Sequence, residues 1–236
     1  MEMFGIKGME QVILSDVPTG QTVILEGDTG VLKTSLAIEC VKDLLEKDPG
    51  RVSIYFSFKE DPEFLKRRFD LDGLTESGRL LIYDFNRLME EGESRDCEGG
   101  DPLSHMLGLA KKIQDKQGSS LRLLVVDPMS MLLFRLKEER ARRFIYHLFS
   151  GLADLKIQSI IICEKGEGQE GKDYIIPCRF LADGIIRMGT HENGDDVMRY
   201  LEVVKMRGVH HNLNRFQLYY RKGIMKVLGP MYSDGH

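Results

Sequence analysis

An α/β fold with a mostly parallel sheet flanked by helices is predicted by three features of the chain. Short β-rich apolar runs alternate with longer segments whose apolar residues recur every three to four positions, the pattern of βαβ units. A glycine-bearing segment follows the first run and opens the first helical segment, where such folds place an anion-binding turn. Toward the C-terminus the helical segments stop and short runs succeed one another across turn dipeptides, which predicts antiparallel hairpins extending the sheet. Neither an internal repeat nor a linker composition interrupts the pattern, so one domain over residues 1–236 is expected.

The first strand is residues 22–26 (TVILE), after the Pro18-Thr19-Gly20 turn. A helix over 33–46 follows, with Leu36, Ala37, Cys40, Val41, Leu44 and Leu45 on one face, and it stops near Pro49-Gly50. Residues 52–58 (VSIYFSF) read as the second strand. Asp61-Pro62 supplies a capping side chain and a first-turn proline, so 62–69 is a short helix with a basic face. Residues 79–85 (RLLIYDF) form the third strand. The stretch 86–101 carries six acids against two arginines and reads as a solvated loop. Helices over 102–118 and 138–155 bracket a buried strand at 121–126 that ends on Asp127, and 158–163 (QSIIIC) is the next strand. The late runs are 184–188, 197–206, 215–220 and 223–227, with turns at Asn193-Gly194 and Lys222-Gly223.

Composition narrows the function classes. Hydrophobic residues at 42% and charged residues at 30% place the chain among soluble globular proteins and away from disordered ones. The longest apolar run, 121–134, is broken by Arg122, Asp127 and Pro128, so it cannot supply the ~20 apolar residues of a membrane span. Residues 1–8 show no basic stretch leading into an apolar run, and a cytoplasmic location without a membrane role is expected. Cys40, Cys97, Cys163 and Cys178 lack CxxC spacing, which reads as thiols in a reducing compartment rather than a zinc site. A net charge of −4 argues against a globally basic nucleic-acid binder.

The segment Gly27-Asp28-Thr29-Gly30-Val31-Leu32-Lys33-Thr34-Ser35 carries the chemistry. Between a strand and a helix, backbone N–H groups point at a phosphate, Lys33 reaches its outer oxygens and Thr34 can hold Mg²⁺. The G-x-x-x-x-G-K-[ST] pattern has glycine where Leu32 stands. If that position needs φ > 0, leucine costs about 1–2 kcal/mol. Asp127, at the end of an apolar strand ninety-three residues after Thr34, is where a second Mg²⁺ contact belongs. A strand-terminal Asp alone reads as a cap or turn residue; its weight here comes from the loop.

These residues, with others spread over the chain, resemble the KaiC-like group of RecA-superfamily ATPases, including single-domain RadA-paralogue-like proteins. The quoted parts are Gly5-Ile6-Lys7-Gly8-Met9 and Pro18-Thr19-Gly20 before the loop, Tyr55-Phe56-Ser57-Phe58-Lys59-Glu60-Asp61-Pro62, Val125-Val126-Asp127, Ile162-Cys163-Glu164, Ala182-Asp183-Gly184-Ile185-Ile186-Arg187 and Lys205-Met206-Arg207-Gly208. The resemblance implies a RecA-like P-loop NTPase fold, with ATP and Mg²⁺ bound in clefts between protomers of a ring, commonly six. It also implies hydrolysis coupled to a protein signalling partner or to DNA, and Lys205 and Arg207 acting at the neighbouring subunit's terminal phosphate. Where the group has a Glu-Glu pair whose first acid activates water, this chain has Lys59 and Glu60. Lysine cannot accept a proton at neutral pH without a strongly depressed pKa. Glu60 can take over only if the backbone turns at the strand end, and Glu164 is the next candidate.

The leading expectation is therefore a ring-forming ATPase of regulatory character that hydrolyses slowly. A nucleotide-gated interaction module without turnover is the alternative motivated by Leu32 and Lys59. A recombination-accessory single-stranded DNA binder is a further one, resting on the basic clusters Lys66-Arg67-Arg68 and Arg140, Arg142 and Arg143. Adjacent His210 and His211 diverge on a strand and read as a surface or subunit contact. Met129, Met131, Leu132, Leu133 and Phe134 read as an apolar stripe in the core or a subunit interface.

Overall fold

In the computed structural model, which describes residues 4–85, 87, 102–117, 120–133, 136–164, 175–194 and 196–231, the first strand is β1 (Thr22–Gly27). It is buried along its whole length, as a central strand covered on both faces must be. Helix α1 (Lys33–Lys47) follows and buries the stripe from Leu36 to Leu45. The chain then forms β2 (Val52–Ser57), α2 (Pro62–Phe69), α3 (Asp72–Glu76) and β3 (Leu80–Asp84). Asp61 caps α2 by accepting from the Glu63 and Phe64 amides at 2.8 and 3.2 Å, and Pro62 occupies the first turn.

Helix α4 (Pro102–Gln117), β4 (Leu121–Asp127), α5 (Met129–Leu133), α6 (Glu138–Leu155) and β5 (Gln158–Glu164) complete the central layers. They are followed by α7 (Ile175–Leu181), β6 (Gly184–Asn193), β7 (Asp196–Met206), β8 (Phe216–Arg221) and β9 (Ile224–Pro230). The strands form one sheet in the order β3-β2-β4-β5-β1-β6-β7-β8-β9. The first six in that order are parallel, and β7, β8 and β9 join antiparallel.

Alternate side chains of each central strand go to opposite faces. Val23, Leu25, Tyr55, Val125 and Ile162 pack with α1 and the C-terminal hairpins. Ile24, Phe56, Val126 and Ile161 pack with α4, α5 and α6. The 129–133 stripe is thus core: Met129, Leu132 and Leu133 are buried under β5 as helix α5. Cys40, Cys163 and Cys178 are buried thiols.

The late strands form the expected antiparallel hairpins, with β6 and β7 paired from Gly184–Met206 to Asn193–Asp196. The other edge of β6 pairs in parallel with β1, with Gly27 opposite Met188, and so joins the hairpins to the parallel sheet; no local pattern reveals that pairing. The short helices α3, α5 and α7 were not anticipated, because five to seven residues are too few to display a helical period. The acidic stretch 86–101 apart from Arg87, together with Phe134 and Cys97, lies outside the described residues. Among those described, no helix is long and apolar enough to cross a membrane.

Candidate functional site

The segment between β1 and α1 lies at the C-terminal edge of the parallel strands, where open α/β sheets bind ligands. Gly27 has φ 154°, and a Cβ there would stand 2.1 Å from the Met188 carbonyl oxygen of β6, so only glycine lets the two strands meet. Leu32 is left-handed, φ 74° and ψ 27°, as the glycine-preferring position before the lysine requires. Its side chain packs against the core beneath α1. Val31 and Ser35 are buried, so Val31 contributes backbone to the turn, while Asp28, Thr29 and Gly30 are exposed.

Lys33 is 5% exposed, and its ammonium donates to the carbonyls of Gly27 at 2.9 Å and Asp28 at 2.6 Å. Burial lowers its pKa, and the carboxylates of Glu164, Asp127 and Asp28 oppose that shift. The next residue, Thr34, donates its hydroxyl to Asp127 Oδ2 at 2.7 Å. Asp127 ends β4 and is 8% exposed. Burial raises its pKa, countered by hydrogen bonds from Tyr55 and Thr34. The Tyr55 hydroxyl donates to the same Oδ2 at 2.5 Å, and burial followed by the Asp127 charge pushes its own pKa well up, which keeps it a donor. A hydroxyl and a carboxylate meeting at a cleft form a hard oxygen donor set that fits Mg²⁺.

Lys59 and Glu60 stand beyond the end of β2, where the Ser57 hydroxyl donates to the Glu60 carbonyl at 2.5 Å. That turn meets the condition for both side chains to face the cleft, and they line it together with Arg68, Asp127 and Glu164. Each carboxylate suited to activating water is already paired with a cation. Glu60 accepts from Arg68 at 3.1 and 3.2 Å, and Glu164 lies 3.6 Å from Lys59.

Lys205 and Arg207 lie elsewhere. Lys205 pairs across the sheet with Ile185, at the start of β6, so both residues sit at the opposite edge from the 27–35 loop. The Lys205 ammonium donates to the Arg179 and Ala182 carbonyls at 3.2 and 2.5 Å, and Arg207 pairs with Asp183 at 3.5 Å. The basic helical clusters divide: Arg68 joins the cleft, whereas Lys66 and Arg142 pair with Glu63 and Glu138 on exposed faces. His211 Nδ1 lies 2.9 Å from the Val209 carbonyl.

Sequence reasoning missed Tyr55, Arg68 and Glu26. Tyr55 reads as one apolar strand residue among several, and only the parallel register of β2 with β4 carries its hydroxyl to Asp127. Glu26 is fully buried one residue before the loop, held by Arg179 at 2.6 Å and Arg187 at 2.8 Å. A buried carboxylate demands such partners, and a glutamate inside an otherwise apolar run was the available signal.

The model of the KaiC ATPase family matches residues 3–231 of the chain. A UPF0273 protein of Thermotoga maritima is 27% identical over 228 residues, covering 89% of this chain and 88% of the relative. The circadian clock oscillator protein KaiC of Picosynechococcus is 22% identical over 87% of this chain, which spans 40% of that protein. A solved KaiC-like protein of Pyrococcus horikoshii superimposes with a TM-score of 0.77 at 23% identity, covering 96% of this chain and 97% of that one, and so shares its fold. With a loop, a strand-end aspartate and a sheet order of this kind, and a family match along nearly its whole length, the chain belongs to the KaiC family of RecA-superfamily ATPase domains.

Proposed function

We propose that the cleft beside the 27–35 loop binds ATP with Mg²⁺ and hydrolyses it slowly, and that the chain works as a ring-forming regulatory ATPase. The observation that carries this reading is the convergence of Lys33, Thr34 and Asp127 from β1–α1 and β4 into one cleft. Lys33 exchanges the Gly27 and Asp28 carbonyls for phosphate oxygens, which form stronger charge-assisted hydrogen bonds. The first-turn amides of α1 donate to the same anion. Thr34 and Asp127 would hold Mg²⁺, which neutralises phosphate charge when bound.

Slow turnover follows from the pairing of Glu60 with Arg68 and, until a ligand draws Lys59 away, of Glu164 with Lys59, because a carboxylate held by a cation must give up that contact before it can orient a water. The same two pairs favour a second reading, a nucleotide-gated interaction module without turnover. Ring assembly is supported by Lys205 and Arg207, which stand at the edge opposite their own loop and can serve only a neighbour's. Leu14 and Leu213, 58% and 77% exposed, flank the Ile13–His211 bridge near that edge. Exposed apolar side chains beside charged ones suit a subunit contact.

Phosphate release from Mg-ATP by the purified protein, against Lys33→Ala, tests the reading. Release that is slow, saturable and lost in the variant supports hydrolysis. Equal release from both would refute it, and nucleotide binding without release would establish the second reading.

A further inference from the structure

Lys59, just beyond the end of β2, holds Glu164 and faces the same cleft as Lys33. The two reach it from different directions. β1 and β2 are separated in the sheet by β4 and β5, three strand spacings or roughly 14 Å. Lys33 therefore rises from the loop and Lys59 enters from the side.

Their present partners also differ. Lys33 is nearly buried and holds two carbonyls at 2.9 and 2.6 Å. Lys59 is half exposed, and its ion-pair distance to Glu164 Oε1, 3.6 Å, is beyond good hydrogen-bond length. Such an exposed pair contributes little and is easily given up. Glu164 also acts electrostatically on Lys33, beside Asp127 and Asp28, so Lys33 keeps other carboxylates near it while Glu164 is shared with Lys59. Glu60, next to Lys59 in the cleft, is held by Arg68.

Resting on the reading of this cleft as a nucleotide site, we propose that Lys59 binds the terminal phosphate of a nucleoside triphosphate, leaving Glu164 to do so, and thereby makes the cleft select triphosphate over diphosphate. A diphosphate seated on the loop ends short of the β2 side, and Lys59 stays with Glu164. The third phosphate extends the anion toward Lys59 and offers it a charge-assisted hydrogen bond in place of the 3.6 Å contact with Glu164. An acid at this position would repel that phosphate; the lysine turns the place of a base into one for a ligand.

Calorimetric titration with Mg²⁺ and either ADP or the β,γ-imido analogue of ATP tests this on wild type, Lys59→Gln, Lys59→Arg and Glu164→Gln. Lys59→Gln should weaken the analogue about tenfold, the scale of one charge-assisted contact, and leave ADP unchanged. Lys59→Arg should keep most of the preference, and Glu164→Gln should tighten the analogue by releasing Lys59. Equal weakening of both nucleotides by Lys59→Gln, or no weakening of either, overturns the proposal while the cleft reading stands. A folded wild type that binds neither nucleotide overturns both.

Discussion

Leu32 is the residue at which local cost and function meet most openly. Its left-handed backbone, φ 74°, costs a branched side chain about 1–2 kcal/mol, and its packing against the core repays part of that. Leu32→Ala loses the packing and keeps the strain, whereas Leu32→Gly loses the packing and sheds the strain. The glycine variant should therefore be the more stable of the two by about 1 kcal/mol in urea denaturation; equal midpoints would show that the loop has relaxed around any side chain. Tyr55 makes a second prediction. Tyr55→Phe keeps the buried ring and deletes only the hydroxyl that holds Asp127 Oδ2. Nucleotide affinity in EDTA should be unchanged, while the gain on adding Mg²⁺ should fall about tenfold, the scale of a hydrogen bond to a charged group. An unchanged Mg²⁺ gain would reduce Tyr55 to packing. Lys33, Thr34 and Asp127 were legible in the sequence because loop, helix start and strand end fix their places by local rules. Tyr55 and Arg68 were not, because strand register and a helix on another segment bring them to the cleft.

The junction between β2 and α2 sets the catalytic question at the scale of elements. The helix was legible to its boundaries, since Asp61 caps it and Pro62 starts it. What the sequence left open was whether the chain turns before it, and the hydrogen bond from Ser57 to the Glu60 carbonyl is that turn. With Glu60 facing the cleft, Glu60→Gln should eliminate phosphate release and leave nucleotide affinity intact, because the amide keeps a contact to Arg68 but cannot take a proton. An unchanged rate would move the base to Glu164. Other elements were hidden for identifiable reasons. The antiparallel hairpin of β6 and β7 was legible from its Asn193-Gly194 turn, whereas the parallel pairing of β6 with β1 was not, because it joins segments far apart in the chain. Helix α7 is seven residues long, yet through Arg179 it ties Glu26, at the foot of the loop, to Arg187 and onward to Glu202 of β7.

For the whole molecule, one continuous sheet with cores on both faces separates two edges. The loop edge carries the cleft, and the far edge carries Lys205 and Arg207 with their local carbonyl and carboxylate partners. The α/β class and the alternation of strands and helices were legible because the hydrophobic period changes along the chain. The separation of edges was not, because it depends on the sheet order. It leads to a prediction about assembly: mixing Arg207→Ala with Lys33→Ala subunits should restore part of the hydrolysis that each lacks alone, since some clefts then join an intact loop to an intact neighbour. Mixed rings, confirmed by mass, that stay as inactive as their parents would remove the trans role. Each of these roles depends on the cleft itself, and titrating Mg-ATP into wild type and Lys33→Ala by calorimetry tests it most directly. Saturable binding by the wild type, lost in the folded Lys33→Ala variant, is the result predicted; equal affinity in both would show that the loop is a turn and not a phosphate site.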